Sequence, residues 1–257
     1  MTKPHFVWHD LNTTDRAAAQ RFYGELFNWK FDGDDYAHIV AGEQMIGGIR
    51  TIGPNEHMPP NWLGYIGVDD VAATVDKMTK AGGKLLMPTT TMANVGTFAI
   101  LSDPTGGVMA PWRSARPEED VEPQGRPAMF TFCWDELSTI DLEAATAFYA
   151  ASLGWKPQTA DMGGGMEYTL FKRPGDPDPT MPNEDRNAGG AMTAQPGQSY
   201  SYWLSYVAVP SADETVAKVK RLGGTVMVEP MDIPNVGRFA VFADPQQAAL
   251  AVLQPTM

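Results

Sequence analysis

Asp10 and Glu136 are the residues whose placement most suggests chemistry, because each follows a tryptophan by two positions, in Trp8-His9-Asp10-Leu11 and Trp134-Asp135-Glu136-Leu137. In an extended strand, side chains two apart share a face. An indole and a carboxylate would then stand together, and apolar surroundings would raise the carboxyl pKa. Such a group can act as an acid or a base, or bind a hydroxyl or amine of a ligand. The same groups admit an architectural role, as buried carboxylates tying down backbone or tyrosine donors such as Tyr65 or Tyr206. Other chemistries lack their residues. There is no nucleophile triad or nucleotide fingerprint, and Gly163-Gly164-Gly165 has neither the helix nor the Lys of a phosphate loop, so it reads as a hairpin turn. Cys133, the single cysteine, adjoins a strand tryptophan with no histidine nearby in sequence and reads as a buried, inert thiol.

The elements that must position these residues come from a chain of 257 residues, enough for one large domain or two of average size, and its 43% hydrophobic content can fill a core. A formal net charge of -12 disfavours nucleic acid and anionic membranes, both of which need a basic face. One cysteine excludes an intrachain disulfide. No targeting segment and no apolar stretch of about 18 residues is visible. These features predict a cytoplasmic monomer or homodimer whose partner is a small-molecule ligand or substrate, with no nucleic acid and no membrane. The 15 methionines and 7 tryptophans can fill core gaps or line an adaptable apolar cavity.

The chain repeats itself. Trp8 to Asp15 lines up with Trp134 to Asp141 at an offset of 126, which also aligns Phe22-Tyr23 with Phe148-Tyr149 and Trp29-Lys30 with Trp155-Lys156. A second block, Trp62 to Val68, matches Trp203 to Val209 at an offset of 141, as do Gly82-Gly83 with Gly223-Gly224, Asn94-Val95-Gly96 with Asn235-Val236-Gly237, and Asp103-Pro104 with Asp244-Pro245. The larger offset places about fifteen extra residues in the second copy, and Lys172 to Asn187, rich in Pro and Asp, reads as the exposed loop that holds them. Between the copies, the charged and proline-bearing stretch from Arg113 to Pro127 reads as a linker, which places the boundary between the two domains at 115–127.

Within each copy the periodicity gives two units of one order. Phe6 to Asn12 reads as a strand ending at a Thr-Thr-Asp helix cap, followed by apolar residues at helical spacing, Ala18, Phe22 and Leu26. Tyr36 to Val40 and Gln44 to Thr51 read as hairpin strands. Leu63 to Val68 is then a strand and Val71 to Ala81 a helix stopped by Gly82-Gly83. Lys84 to Met87, Thr97 to Leu101 and Val108 to Trp112 are three more strands, with a turn at Asp103-Pro104-Thr105-Gly106.

Paired units of this order, with Phe-Tyr late in the first helix, Asn-Trp or Gly-Trp after it, and a late Asp-Pro turn, resemble the vicinal oxygen chelate superfamily. That superfamily holds glyoxalases, bleomycin-resistance proteins and extradiol dioxygenases, and the likeness is greatest to two-domain proteins called glyoxalase-like or hydroxylase. The resemblance implies an α+β fold: four tandem βαβββ modules forming two cupped, barrel-like mixed sheets with helices outside, in domains at 1–114 and 128–257. It also implies metal ligands at inward positions of first and last strands, yet Trp8, Leu63 and Ala110 in copy one and Trp134, Leu204 and Ala251 in copy two offer no donor atom. The remaining inward position, near Ile49 or Met192, shows no His or Glu either. His9 lies beside the first of these positions, but alternation turns it to the helix layer, and copy two has Asp135 there. His5, His38 and His57 form no spacing pattern.

The expected site therefore holds Asp10 and Glu136 as candidate catalytic groups, no metal ligand and no cofactor. Trp8, Asn12, Leu63, Tyr65, Ala110 and Trp112 line it in copy one, and Trp134, Ser138, Leu204, Tyr206 and Ala251 in copy two. Two functions compete. One is a metal-independent protein that binds a small, largely apolar ligand in sheet-lined cavities. The other is a lyase, hydroxylase or dioxygenase-like enzyme using the carboxylates or an atypical metal site. A module whose hollows are filled by its own side chains is the third reading.

Overall fold

The computed structural model describes residues 3–116, 125–161, 167–178 and 181–256. The expected Gly163 turn and the middle of the linker lie outside the described residues. The first module runs β1 (Phe6–Thr13), α1 (Arg16–Phe27), β2 (Lys30–Asp32), β3 (Tyr36–Ala41) and β4 (Gln44–Thr51), and the second β5 (Asn61–Gly67), α2 (Val71–Lys80), β6 (Lys84–Met92), β7 (Gly96–Ser102) and β8 (Val108–Ser114). The third runs β9 (Phe132–Thr139), α3 (Leu142–Leu153), β10 (Lys156–Asp161), β11 (Glu167–Asp178) and β12 (Met181–Thr193), and the fourth β13 (Tyr202–Ala208), α4 (Ala212–Arg221), β14 (Thr225–Ile233), β15 (Gly237–Ala243) and β16 (Ala249–Pro255). Among the described residues no helix is long and apolar enough to cross a membrane.

Local chemistry sets the element ends. Asp15 and Asp141 cap α1 and α3 by accepting from the backbone N–H of Ala18 and Ala144 at 3.0 and 2.9 Å. α2 stops at Gly82, whose φ of 95° suits glycine, while the N–H of Gly83 reaches the carbonyl of Met78 at 2.9 Å.

Two eight-stranded sheets form, in the orders β2-β3-β4-β1-β5-β8-β7-β6 and β10-β11-β12-β9-β13-β16-β15-β14. Within each module the first and last strands pair in parallel and the rest in antiparallel hairpins. The sheets are cupped and open, not closed barrels, because each order ends on two different edge strands.

The chain packs as two compact units that cross the repeat boundary. One comprises Met1–Val7, Gly64–Gly125 and Asp135–Trp203, and the other Trp8–Leu63, Arg126–Trp134 and Leu204–Met257. The core of the first joins Ile66, Met78 and Leu101 of copy one to Phe148, Tyr149, Trp155 and Phe171 of copy two. The core of the second joins Leu11, Phe22, Tyr23 and Ile49 to Val207, Val216, Phe242 and Val252.

The repeated Phe-Tyr and Asp-Pro motifs bond to one another across the copies. In the first unit Tyr149 donates to Asp103 Oδ2 at 2.8 Å and accepts from Trp203 Nε1 at 2.8 Å. In the second Tyr23 donates to Asp244 Oδ2 at 3.1 Å and accepts from Trp62 Nε1 at 3.2 Å. Burial, and then the neighbouring carboxylate, hold both phenols well above the usual tyrosine pKa, so they stay protonated donors. Burial raises the Asp244 carboxyl as well.

The expected loop at Lys172 to Asn187 is corrected: its described residues belong to the β11–β12 hairpin. Lys172 and Arg173 are buried, and their charges are met by Glu184 at 2.8 Å and Asp176 at 2.9 Å. Register shifts around Lys172 and Pro177 fit the prolines into the hairpin. The extra residues are also split. The offset between copies is 126 at Lys30 and Lys156, 132 at His38 and Leu170, and 142 at Gly48 and Gly190, so part of the insertion lies between β10 and β11.

Candidate ligand-binding site

In the first module, β1 and β4 run in register with Asp10 beside Gly48, Leu11 beside Ile49 and Asn12 beside Arg50. Leu11 and Ile49 are fully buried in the core with the α1 side chains Phe22 and Tyr23, so Trp8, Asp10 and Asn12 take the opposite face. His9 lies on the core side, as alternation required, stacked on Phe132 with ring centroids 3.9 Å apart. The expected inward position near Ile49 is corrected to Gly48 and Arg50, one residue to either side. Met192, which sits beside Ser138, is inward.

A closed set of hydrogen bonds organises that face. Trp8 Nε1 donates to Asp10 Oδ1 at 2.9 Å and to the Tyr36 hydroxyl at 3.1 Å, and Tyr36 donates to the same Asp10 oxygen at 2.8 Å. Asp10 is only 6% exposed. Burial, and then the Asp10 charge, push the Tyr36 phenol far above its usual range, so it remains a donor. His38, two residues along β3 and therefore on the same face as Tyr36, packs edge-on against Trp8 at 6.0 Å and Tyr36 at 5.5 Å. Asn12 Nδ2 donates to Asn61 Oδ1 at 3.2 Å. Arg50 grips Glu56 through two bonds of 2.7 and 3.0 Å, and Glu56 also accepts from the Gly53 N–H at 2.6 Å.

Gly48 makes room for this arrangement. A Cβ there would overlap the Tyr36 hydroxyl and meet Asp10 Oδ1 at 2.5 Å. Gly48→Ala is accordingly expected to displace Tyr36 and cost about 2 kcal/mol, read as a lower urea midpoint at unchanged m-value. A wild-type midpoint in that variant would show that Tyr36 does not rest on Gly48. Copy two repeats the device, since a Cβ at Gly190 would overlap the Tyr168 hydroxyl. Sequence reading missed Tyr36, Tyr168 and His38. The signal was present in the twin dipeptides Gly47-Gly48 and Gly189-Gly190, each on the strand that follows the one bearing Tyr36 or Tyr168.

The other expected residues fall into separate groups. In the second module Tyr65, Phe98 and Trp112 form a ring cluster with centroids 6.0, 6.0 and 6.5 Å apart, and the buried Ala110 sits opposite Tyr65. In the third, Ser138 donates to Gln198 Oε1 at 3.0 Å, and at the start of β13 in the fourth the Tyr202 pKa is raised by burial, with smaller contributions that include the Glu136 charge. Trp134 is half-buried on β9, and the Cys133 thiol, also half-buried, donates to the Tyr206 carbonyl at 3.4 Å. In the fourth, Tyr206 faces Phe239 at 6.4 Å and pairs with Ala251, while Leu63 and Leu204 are buried on β5 and β13.

The profile of the Glyoxalase/Bleomycin resistance protein/Dioxygenase superfamily matches residues 4–109 and 131–252. The chain belongs to that superfamily. Within it, the chain is 36% identical over 259 residues to the Mycobacterium tuberculosis protein named "Putative glyoxylase CFP32", covering 96% of this chain and 94% of that protein. It is 30% identical over 268 residues to the anthracycline biosynthesis protein DauV of Streptomyces sp. strain C5, covering 96% and 92%. Among solved structures, the Mn(II)-bound glyoxalase from Novosphingobium aromaticivorans shares the fold at a TM-score of 0.63 and 15% identity, covering 97% of this chain and 81% of that one. The 2,3-dioxygenase LapB from Pseudomonas sp. KL28 shares it at 0.60 and 13%, covering 99% and 92%.

A divalent ion of the kind held by the superfamily's glyoxalase does not suit the side chains found here. Among the described residues no three His, Cys, Asp or Glu side chains come together. Asp10 is instead engaged by an indole and a phenol, which compete for the lone pairs a cation would take.

Proposed function

We propose that this member of the superfamily binds a flat, largely apolar small molecule on the Trp8–Asp10–Tyr36 face without a metal ion. The observation that carries the reading is the closed triangle among Trp8, Asp10 and Tyr36. It orients an indole on a rigid strand and leaves a half-exposed aromatic surface bordered by His38 and Arg50, the pattern of a site in which rings supply area and a few polar groups supply orientation. The relative DauV, named for anthracycline biosynthesis, supports a polycyclic aromatic ligand of the polyketide type.

The test is titration of the chelator-treated protein with planar hydroxyquinones, followed by tryptophan fluorescence. Quenching that saturates, with an affinity reduced at least about tenfold in Trp8→Ala, is expected; a tenfold loss corresponds to about 1.4 kcal/mol. Absence of both quenching and thermal stabilisation across the panel would sink the proposal.

A further inference from the structure

We infer that the first copy alone carries the working site, through His38 and Arg50, and that it takes a flat ring system bearing carbonyl or phenolate oxygens. The inference rests on the function proposed above and adds to it which half works and what the ligand must carry.

The two copies share a scaffold: Trp8, Asp10, Tyr36 and Gly48 recur as Trp134, Glu136, Tyr168 and Gly190. They part at the positions beside it. His38 stands opposite Gly48, whereas Leu170 stands opposite Gly190. Arg50 stands beside Asn12, whereas Met192 stands beside Ser138. Both changes replace a nitrogen donor with an aliphatic or thioether side chain. The second and fourth modules change in the same direction, since Trp112 pairs with Phe98 where Leu253 pairs with Phe239.

These donors have capacity to spare. His38 is half-buried against two rings, and among the described residues its nitrogens have no hydrogen-bond partner. Arg50 uses one bond from Nη1 and two from Nη2, toward Glu56 and Met58, out of five N–H groups. The Tyr36 proton is committed to Asp10, and the indole N–H of Trp8 to Asp10 and Tyr36. A ligand on this face therefore meets imidazole and guanidinium donors, which call for oxygen acceptors, beside ring surfaces, which call for a flat apolar body.

The probe is 1,4-dihydroxyanthraquinone, titrated into the full-length protein by calorimetry. One equivalent per chain is expected. His38→Leu and Arg50→Met, which install the copy-two residues, should each weaken binding about tenfold, and together about a hundredfold. Leu170→Ala and Met192→Ala should change it less than about twofold. His38→Gln keeps a donor and should stay within about threefold of wild type; equal loss in His38→Leu and His38→Gln would refute the donor role, whatever the fold of either variant. Two equivalents per chain, or equal losses from the copy-two variants, would overturn the inference while leaving the proposed function standing. A wild-type protein that binds no probe would overturn both.

Discussion

Asp103→Ala is expected to cost about 4 kcal/mol, which is a large share of the stability of an ordinary domain. Asp103 is 2% exposed and its Oδ1 accepts from the N–H groups of Thr105, Gly106 and Gly107 and from the Thr105 hydroxyl, at 2.7 to 3.0 Å. Its Oδ2 accepts from Tyr149, itself the acceptor for Trp203. Alanine strands the Thr105 and Gly107 N–H groups, leaves Gly106 only its 3.2 Å bond to the backbone carbonyl of position 103, and unmakes the Tyr149 link at once. Tyr149→Phe, which removes only the second half of that network, should cost about 2 kcal/mol. Urea unfolding measures both; an Asp103→Ala loss below about 1 kcal/mol would mean the turn finds other acceptors.

A larger effect is expected from separating the copies. Residues 1–114 carry α2, whose Met78 is buried among Phe148, Tyr149 and Trp155 of copy two, and α1, whose Phe22 and Tyr23 are buried among Val216 and Phe242. Expressed alone, either copy would leave both helix faces bare, and fully burying one such side chain is worth about 1.5–3 kcal/mol. Fragments 1–114 and 128–257 should each fail to give a cooperative monomeric unfolding transition, and should regain near-UV circular dichroism when refolded together. A monomeric 1–114 fragment that unfolds cooperatively would contradict the packing of each unit from both copies.

The repeat, the four modules and most element bounds were legible because their signals are local. Asp15 and Asp141 cap helices within three residues, Gly82 stops α2 on the spot, and Tyr36–Ala41 and Gln44–Thr51 flank a short turn at Gly42-Glu43. Phe-Tyr and Asp-Pro were legible as signatures but not as partners, since Tyr23 and Asp244 lie 221 residues apart. The site was half legible. Alternation placed Trp8, Asp10 and His9 on their faces, but Tyr36 and His38 reach Trp8 only through the β3–β4 and β4–β1 registers, which no single-strand pattern encodes. The β11–β12 hairpin was hidden because prolines and charges there mimic a loop, and the ion pairs that let Lys172 and Arg173 be buried form only in three dimensions.

We propose that a ligand rests on the face organised by the mutually bonded Trp8, Asp10 and Tyr36 with no metal ion taking part. Elemental analysis of protein purified without chelator, run beside a hydroxyquinone titration before and after chelation, tests it most directly. Fewer than about 0.1 divalent ion per chain and the same affinity in both titrations are expected. A stoichiometric ion whose removal abolishes binding would contradict it.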